Sequence, residues 1–197
     1  SGRGAAAGRG YQGSGPVVLL AACVEHYAGY SVSEGGRDHN STWIPEVRLR
    51  ETYLPPFKAA IDAGSLSIMC AFNDINGVPA SGNKHLNVDI LRHEWQFDGL
   101  LVSDWGSIMN MVSHGIATDR LDAQVDMAMQ SNAYLWYLDD LVAQGKVSEK
   151  QLDACVRNIL RMKFRLGLFD NPYCYMEDTP TYFAPEALAA AQRAAEE

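Results

Sequence analysis

One aspartate in this chain of 197 residues has the surroundings of a catalytic carboxylate. Asp104 ends the apolar run LLVS and is followed by Trp105 and Gly106, so its side chain should leave the end of a buried strand. A carboxylate in that place can act as a nucleophile on an anomeric carbon, with the neighbouring indole as a stacking face for a sugar ring. The alternative is that Asp104 caps the following SIMNMV segment, and the spacing alone does not decide between the two interpretations.

Two further side chains are candidates for donating hydrogen bonds to sugar hydroxyls. His26 follows an apolar run, and Arg37 lies in the glycine-containing loop SVSEGGRDHNSTW. Taken alone, each is better explained as structural, with His26 at the edge of the core and Arg37 paired with Asp38 or Glu34. The loop itself is longer than a simple connection needs, which indicates a functional role for it.

Alternating strands and helices must position these residues. Short apolar runs predict buried strands at 17–24, 65–72, 98–106 and 125–129. Between and after them the sequence predicts helices at 46–64 (interrupted by Pro55 and Pro56), 84–95, 134–144, 151–168 and 184–197. This order is typical of βα units and a parallel sheet, whose chemistry lies at the carboxyl ends of the strands. The polar residues expected there are Glu25, His26, Asn73, Asp74 and Asp104, with Asp126 inside the fourth strand.

Composition excludes several classes of partner. The 16 Lys and Arg against 24 Asp and Glu give a formal net charge of −8, which argues against a nucleic-acid partner. The longest apolar run, 17–24, is far shorter than the roughly 20 residues of a membrane-spanning helix, so no membrane partner is expected. No signal peptide is expected, and the compartment stays open. There is no Walker loop, dinucleotide fingerprint or metal-ligand spacing, so neither a cofactor nor a metal is expected.

Several longer segments resemble one family. The run SIMCAFNDINGVPASGNKHLNVDILRHEWQFDGLLVSDWG, supported by EGGRDHN, LRETYLPPFKAAIDAG and ILRMKFRLGLFDNPY, closely resembles glycoside hydrolase family 3, the β-glucosidase and β-xylosidase group. The resemblance implies an α/β fold, a partial (β/α)8-type barrel of about four βα units with a parallel sheet. We expect a flexible lead-in at 1–15, the partial barrel at 16–170, and a linker and C-terminal helix at 171–197 leading toward an absent second domain.

The resemblance also implies a function. Its members are retaining glycosidases, so the chain is expected to hydrolyse β-linked glucosides or related sugars through a glycosyl-enzyme formed on Asp104. The family's lysine–histidine pair falls on Glu25 and His26, and its substrate contacts fall on five positions: Glu25, His26, Arg37, Phe72 and Trp105. The expected partner is a carbohydrate substrate.

Three departures from the family's pattern shape this expectation. Glu25 stands in place of the family's lysine, a charge reversal that would repel Asp104 and remove a donor to the sugar. The family's first barrel strands and its acid/base glutamate have no counterpart in this sequence. We therefore expect slow or absent turnover of natural disaccharides, and keep as the alternative a non-catalytic sugar-binding or assembly remnant of the same fold.

Open sheet edges lead us to expect a homodimer or a partner chain that completes the barrel.

Overall fold

A computed structural model of the chain describes residues 2–13, 20–113, 125–173 and 183–196. Five strands are present in these ranges: β1 (Cys23–Tyr27), β2 (Ser67–Cys70), β3 (Asp74–Ile75), β4 (Val78–Pro79) and β5 (Leu100–Val102). The helices are α1 (Gly2–Gln12), α2 (Glu46–Arg48), α3 (Pro55–Asp62), α4 (His85–Glu94), α5 (Ser107–Ser113), α6 (Ala133–Ala143), α7 (Glu149–Arg165) and α8 (Pro185–Glu196). None of the helices in these ranges is long and apolar enough to cross a membrane.

The main sheet has three parallel strands in the order β1-β2-β5, which confirms the predicted α/β fold with a parallel sheet. The strand predicted at 125–129 forms only a single parallel bridge, from Met127 to Val102 on β5. The described part of the chain therefore holds three strands of the sheet and one bridge at the place of the fourth. A separate two-stranded antiparallel hairpin, β3–β4, follows β2.

The first strand begins later than predicted. The apolar run at 17–24 indicated a strand buried on both faces, whereas β1 covers Cys23–Tyr27 and its residues alternate between exposed and partly or fully buried. Leu20, inside the predicted run, is exposed and precedes the strand; residues 14–19 lie outside the described ranges. Glu25 and His26 consequently lie within the strand rather than after it.

A bulge interrupts the pairing of β1 with β2. Val24 pairs with Ile68 and Tyr27 pairs with Cys70, so β1 advances by one residue more than its partner between these two pairs. The extra residue falls at Glu25–His26. Bulges bend a strand and re-aim its side chains, and they are common beside active sites. The Glu25–His26 and Tyr27–Ala28 peptide bonds are both cis.

Proline and glycine set the limits of the helical stretch predicted at 46–64, as expected. Helix α2 continues as a wider, π-type turn over Leu49–Tyr53, and α3 then begins at Pro55, whose missing N–H costs nothing in a first helical turn. The helix ends at Gly64, which has a φ of 96°. The N–H groups of Gly64 and Ser65 donate to the carbonyls of Ile61 and Ala60, a Schellman motif that satisfies the last turn.

The N-terminal segment is more ordered than predicted. Residues 2–12, within the expected flexible lead-in, form α1, which packs against α3. Gln12 provides the physical reason, because its buried side chain donates to the Gly64 carbonyl at 2.6 Å and accepts the N–H groups of Ala22 and Leu66 at 3.1 and 3.0 Å. At the other end, the predicted helix is present as α8, none of whose described residues is buried. The division at 171 remains a prediction.

A buried ion pair fixes the position of β5. The Arg92 guanidinium on α4 donates to Asp126 at 2.6 Å and to the carbonyls of Phe97 and Gly99 at 2.8 and 2.7 Å, just before β5 begins. Asp126 also accepts the Leu101 N–H of β5 at 2.8 Å and the amide of Asn158 on α7 at 3.0 Å. Asp126, which the sequence places inside the predicted fourth strand, therefore has a structural role, with bonds to α4, β5 and α7.

This network predicts a large loss of stability when Arg92 is removed. Arg92→Met keeps much of the side-chain volume but leaves Asp126 as an unpaired carboxylate that is only 8% exposed. We expect the free energy of unfolding to fall by about 3 kcal/mol, measured by urea denaturation. Arg50→Met is the matched control, because Arg50 pairs with Glu46 and Glu94 at the surface, and it should cost less than about 1 kcal/mol. Equal small losses in the two variants would contradict the structural role of Arg92.

Candidate active site

The loop that carries Asp104 is held in place by the chain around Met127. Asp104 lies two residues after the end of β5. The Ser103 N–H donates to the Met127 carbonyl, and the Met129 N–H donates to the Ser103 hydroxyl, both at 2.9 Å. The Gly106 N–H donates to the Met129 carbonyl at 2.9 Å. The segment 103–106 is thus bonded on both sides of Asp104, which fixes where its side chain points.

The Asp104 carboxylate is buried and only half satisfied. Its side chain is 10% exposed, and its Oδ1 accepts the Trp105 N–H at 2.7 Å. Its Oδ2 is buried and has no hydrogen-bond partner within the described ranges. Helix α5 begins only at Ser107, whose N–H bonds the main-chain oxygen of Asp104, so the side chain does not cap that helix. A buried carboxylate oxygen left without a donor is costly, and such groups are typical of sites that receive a ligand.

His26 lies directly beside this oxygen. Its Nε2 is 3.5 Å from Asp104 Oδ2 and 3.2 Å from Glu25 Oε2. In a regular strand the side chains of Glu25 and His26 would point to opposite faces, and the bulge in β1 accompanies their approach to each other. The expected location of Asp104 next to His26 and Glu25, at the carboxyl edge of the parallel sheet, is therefore confirmed.

Aromatic rings continue the site from His26 to Phe72. The Tyr30 ring meets the His26 ring edge to face, with centroids 5.3 Å apart, and lies 6.4 Å from the Phe72 ring. His39 stacks on Phe72 with centroids 4.1 Å apart. Phe72 itself lies two residues after β2, at the same edge of the sheet as Asp104. These rings form one wall of the site.

Tyr30 is tied to a further carboxylate. Its hydroxyl donates to Asp38 Oδ1. Burial raises the pKa of Tyr30 to about 12, assisted by the hydrogen bond to Asp38 and by the negative charges of Asp38 and Asp104. Tyr30 therefore remains neutral across the physiological pH range and keeps the proton that it donates to Asp38.

The loop that carries Asp38 and His39 is anchored on the β3–β4 hairpin. The hydroxyls of Ser41 and Thr42 donate to the side chain and the carbonyl of Asp74, both at 2.6 Å. The buried Asn73 amide donates to the Thr42 hydroxyl at 3.0 Å. Asn73 and Asp74, expected from the sequence at the site edge, thus position the loop.

The other two predicted residues, Trp105 and Arg37, are exposed at the rim of the site. The Trp105 side chain is 62% exposed, next to Asp104 in the chain. Arg37 is exposed and follows Gly35 in the same loop as Asp38. Within the described ranges Arg37 makes no ion pair with Glu34 or Asp38, so the salt bridge expected as its structural explanation is not formed.

Two cavities lie near the sheet. One is lined by His39, Phe72, Asp74 and Ser107 among others, and it adjoins the candidate site. The other, of about 770 Å³, lies between α4, α6 and α7 and contains none of the predicted site residues. No cluster of three or more potential metal-ligating side chains occurs in the part of the chain that the structure describes.

Sequence reasoning missed Tyr30 and His39. Tyr30 was detectable, because it follows β1 at the carboxyl edge where polar and aromatic residues were expected to gather. His39 reaches Phe72 through a loop whose path is set by the hairpin, and a loop path of this kind is not encoded in strand and helix periodicity. The sequence signals for this loop were its length, which exceeds that of a simple connection, and the resemblance of EGGRDHN to the family.

Comparisons with known proteins agree on the family of this chain. The family described as "Glycosyl hydrolase family 3 N terminal domain" matches residues 4–162. A periplasmic beta-glucosidase of Salmonella typhimurium is 41% identical over 160 residues, which cover 78% of this chain and 21% of that protein. A lysosomal beta glucosidase of Dictyostelium discoideum is 41% identical over 188 residues, covering 86% of this chain and 23% of that protein.

The solved structure of another beta-glucosidase has the same fold as this chain. The beta-glucosidase from Listeria innocua in complex with isofagomine superposes with a TM-score of 0.89 at 37% sequence identity, covering 97% of this chain and 29% of that chain. The chain spans about a fifth to a quarter of the length of the curated relatives named above. Because the family match covers most of the sequence and the fold agrees with it, the chain belongs to glycosyl hydrolase family 3, within its N-terminal domain.

Proposed function

We propose that this chain carries the nucleophile side of a retaining glycosidase site acting on β-linked glucosides or related sugars. The observation that carries the proposal is the Asp104 Oδ2 atom, which is buried, lacks a hydrogen-bond donor within the described ranges and faces His26. The relatives called beta-glucosidase and beta-xylosidase support the same substrate class. The proposed reaction is a two-step displacement with Asp104 as nucleophile.

In the first step Asp104 Oδ2 attacks the anomeric carbon and the bond from that carbon to the leaving oxygen breaks. The leaving oxygen takes a proton from an acid, and the sugar stays bound to Asp104 as an ester. In the second step a water attacks the same carbon, loses its proton to a base and releases Asp104 as a carboxylate. The Trp105 N–H on Oδ1 holds the carboxylate in one orientation and leaves Oδ2 free for the attack.

The neighbouring side chains suit a sugar ring. His26 can donate to a hydroxyl beside the nucleophile, and Phe72 and Trp105 supply apolar faces for the ring's C–H groups. Arg37, exposed and free of ion pairs with Glu34 and Asp38, is a further donor at the rim. These assignments of Glu25, His26, Arg37, Phe72 and Trp105 to substrate binding are part of the proposal.

Removal of the proposed nucleophile should abolish turnover. We expect Asp104→Asn to lower kcat/KM for 4-nitrophenyl β-D-glucoside by about 10³-fold or more, because the amide is a far weaker nucleophile of nearly the same shape. An aryl glucoside is chosen because its leaving group needs little protonation. Asp98→Asn is the matched control, since Asp98 pairs with Arg161 and Arg165 at the surface, and it should retain activity. Equal rates for wild type and Asp104→Asn would contradict the assignment.

A second candidate function is sugar binding without catalysis. The observation in its favour is Glu25, whose carboxylate lies 3.2 Å from the His26 nitrogen and so competes with the sugar for this donor. It would be supported if the chain bound methyl β-D-glucoside but did not release nitrophenol from the aryl glucoside under any condition tested. Release that depends on Asp104 would exclude it.

We also propose that a second copy of the chain covers apolar side chains on α6 and α7. Leu135 and Trp136 on α6 and Phe164 on α7 are each more than half exposed, and exposed large apolar side chains of this kind are typical of interaction surfaces when they cluster. We expect light scattering at micromolar concentration to give twice the chain mass of 21.6 kDa. Trp136→Ser should shift the population toward monomer, whereas Trp43→Ser, an equally exposed tryptophan in another part of the fold, should not. A mass of one chain at all concentrations would contradict the proposal.

A further inference from the structure

Glu25 gives the candidate active site a second carboxylate beside the first. Because Glu25 Oε2 and Asp104 Oδ2 lie 3.2 and 3.5 Å from the same His26 nitrogen, the two oxygens are no more than about 6.7 Å apart, the sum of these distances. The Glu25 side chain is 50% exposed and that of Asp104 is 10% exposed. Glu25 therefore lies at the mouth of the site, and Asp104 lies at its floor.

The charges that face these carboxylates are few. Asp38 adds a third carboxylate through its bond to Tyr30, whose ring packs on His26. The imidazoles of His26 and His39 are the only basic side chains in ion-pair contact with Glu25, Asp38 or Asp104 within the described ranges. No lysine or arginine in these ranges forms an ion pair with any of the three carboxylates.

The buried Asp104 Oδ2 distinguishes this negative region from a cluster of surface acids and supports its interpretation as a ligand site. It is oriented by the Trp105 N–H, it has no donor of its own among the described residues, and it faces the same nitrogen as Glu25. A neutral sugar would bring no positive charge to offset the negative charges of Glu25 and Asp104. A sugar that bears an ammonium group would compensate this charge and donate to the carboxylate, a charge-assisted hydrogen bond.

We propose that Glu25 makes the site select β-glycosides whose sugar carries an ammonium group over neutral glycosides, an inference that rests on the proposed glycosidase function. Such a ligand frees the His26 N–H from Glu25, so that the imidazole can donate toward Asp104 or a sugar hydroxyl. The same negative field favours the transition state of glycoside hydrolysis, which is oxocarbenium-like and develops positive charge at the ring. Glu25 is thus a specificity-determining residue.

The test is calorimetric titration of the full chain with four ligands at a mildly acidic pH, where a sugar amine is protonated. They are methyl β-D-glucoside, its 2-amino and 6-amino derivatives, and the uncharged 2-acetamido derivative. We expect at least one amino glycoside to bind about tenfold or more tightly than the glucoside, since a hydrogen bond to a charged group contributes more than a neutral one. The acetamido compound should show no such gain.

Variants at Glu25 separate charge from shape. Glu25→Gln should bring the ratio of the two dissociation constants close to one, and Glu25→Lys should reverse the preference toward the neutral glycoside. Glu51→Gln, which removes an exposed carboxylate from the π-type turn after α2, should leave the ratio unchanged. Because Glu25 is half exposed, both variants should keep the wild-type urea midpoint.

The outcomes distinguish this inference from the function on which it rests. Equal binding of amino and neutral glycosides by wild type, or a preference that survives Glu25→Gln, would overturn the role of Glu25 while leaving Asp104-dependent hydrolysis intact. If wild type bound none of the four ligands, both the inference and the proposed function would fall.

Discussion

The central constraint on this molecule is a carboxylate oxygen buried without a hydrogen-bond donor in the described structure. Asp104 Oδ2 has His26 as its nearest basic neighbour, at 3.5 Å, and burial of a charged group in this way costs free energy. The surrounding structure must supply the stabilisation that keeps it there. That stabilisation comes from strand pairing of β5, from the bonds between 103–106 and Met127–Met129, and from the clamp of Arg92 on Asp126.

The position of Asp104 depends on groups that take no part in the proposed reaction. Asp126 accepts bonds from α4, β5 and α7, so that two helices and a strand share one buried carboxylate. The bulge in β1 brings Glu25 and His26 over the end of β5, and the β3–β4 hairpin holds the loop of Asp38 and His39 against Phe72. The result is an edge of the site where three carboxylates lie near two imidazoles. The ligand selectivity proposed for this edge therefore depends on charge.

Much of this arrangement follows from the sequence, and the exceptions have physical reasons. The strands around Ile68 and Leu101 are short apolar runs followed by turn residues, and both are found where expected. Asp104 was identifiable because a carboxylate directly after such a run must leave the sheet at its carboxyl end. The first strand was predicted at 17–24 from composition, which does not encode pairing, whereas the pairing of β1 with β2 begins at Cys23. The order of α1 depends on Gln12, a single polar side chain that bonds three distant backbone groups. Contacts of that kind, like the path of the loop to His39, arise only when the chain is folded.

Covalent trapping is the most direct test of the claim that Asp104 is the nucleophile. The protein would be incubated with 2,4-dinitrophenyl 2-deoxy-2-fluoro-β-D-glucoside, in which the fluorine slows both steps and the activated leaving group speeds only the first, so that the glycosyl-enzyme accumulates. Digestion and peptide mass spectrometry would then locate the sugar. The account predicts one fluoroglucosyl group per chain, on the peptide that contains Asp104 and on that residue. No adduct, or an adduct on Glu25, Asp38 or any other carboxylate, would contradict it.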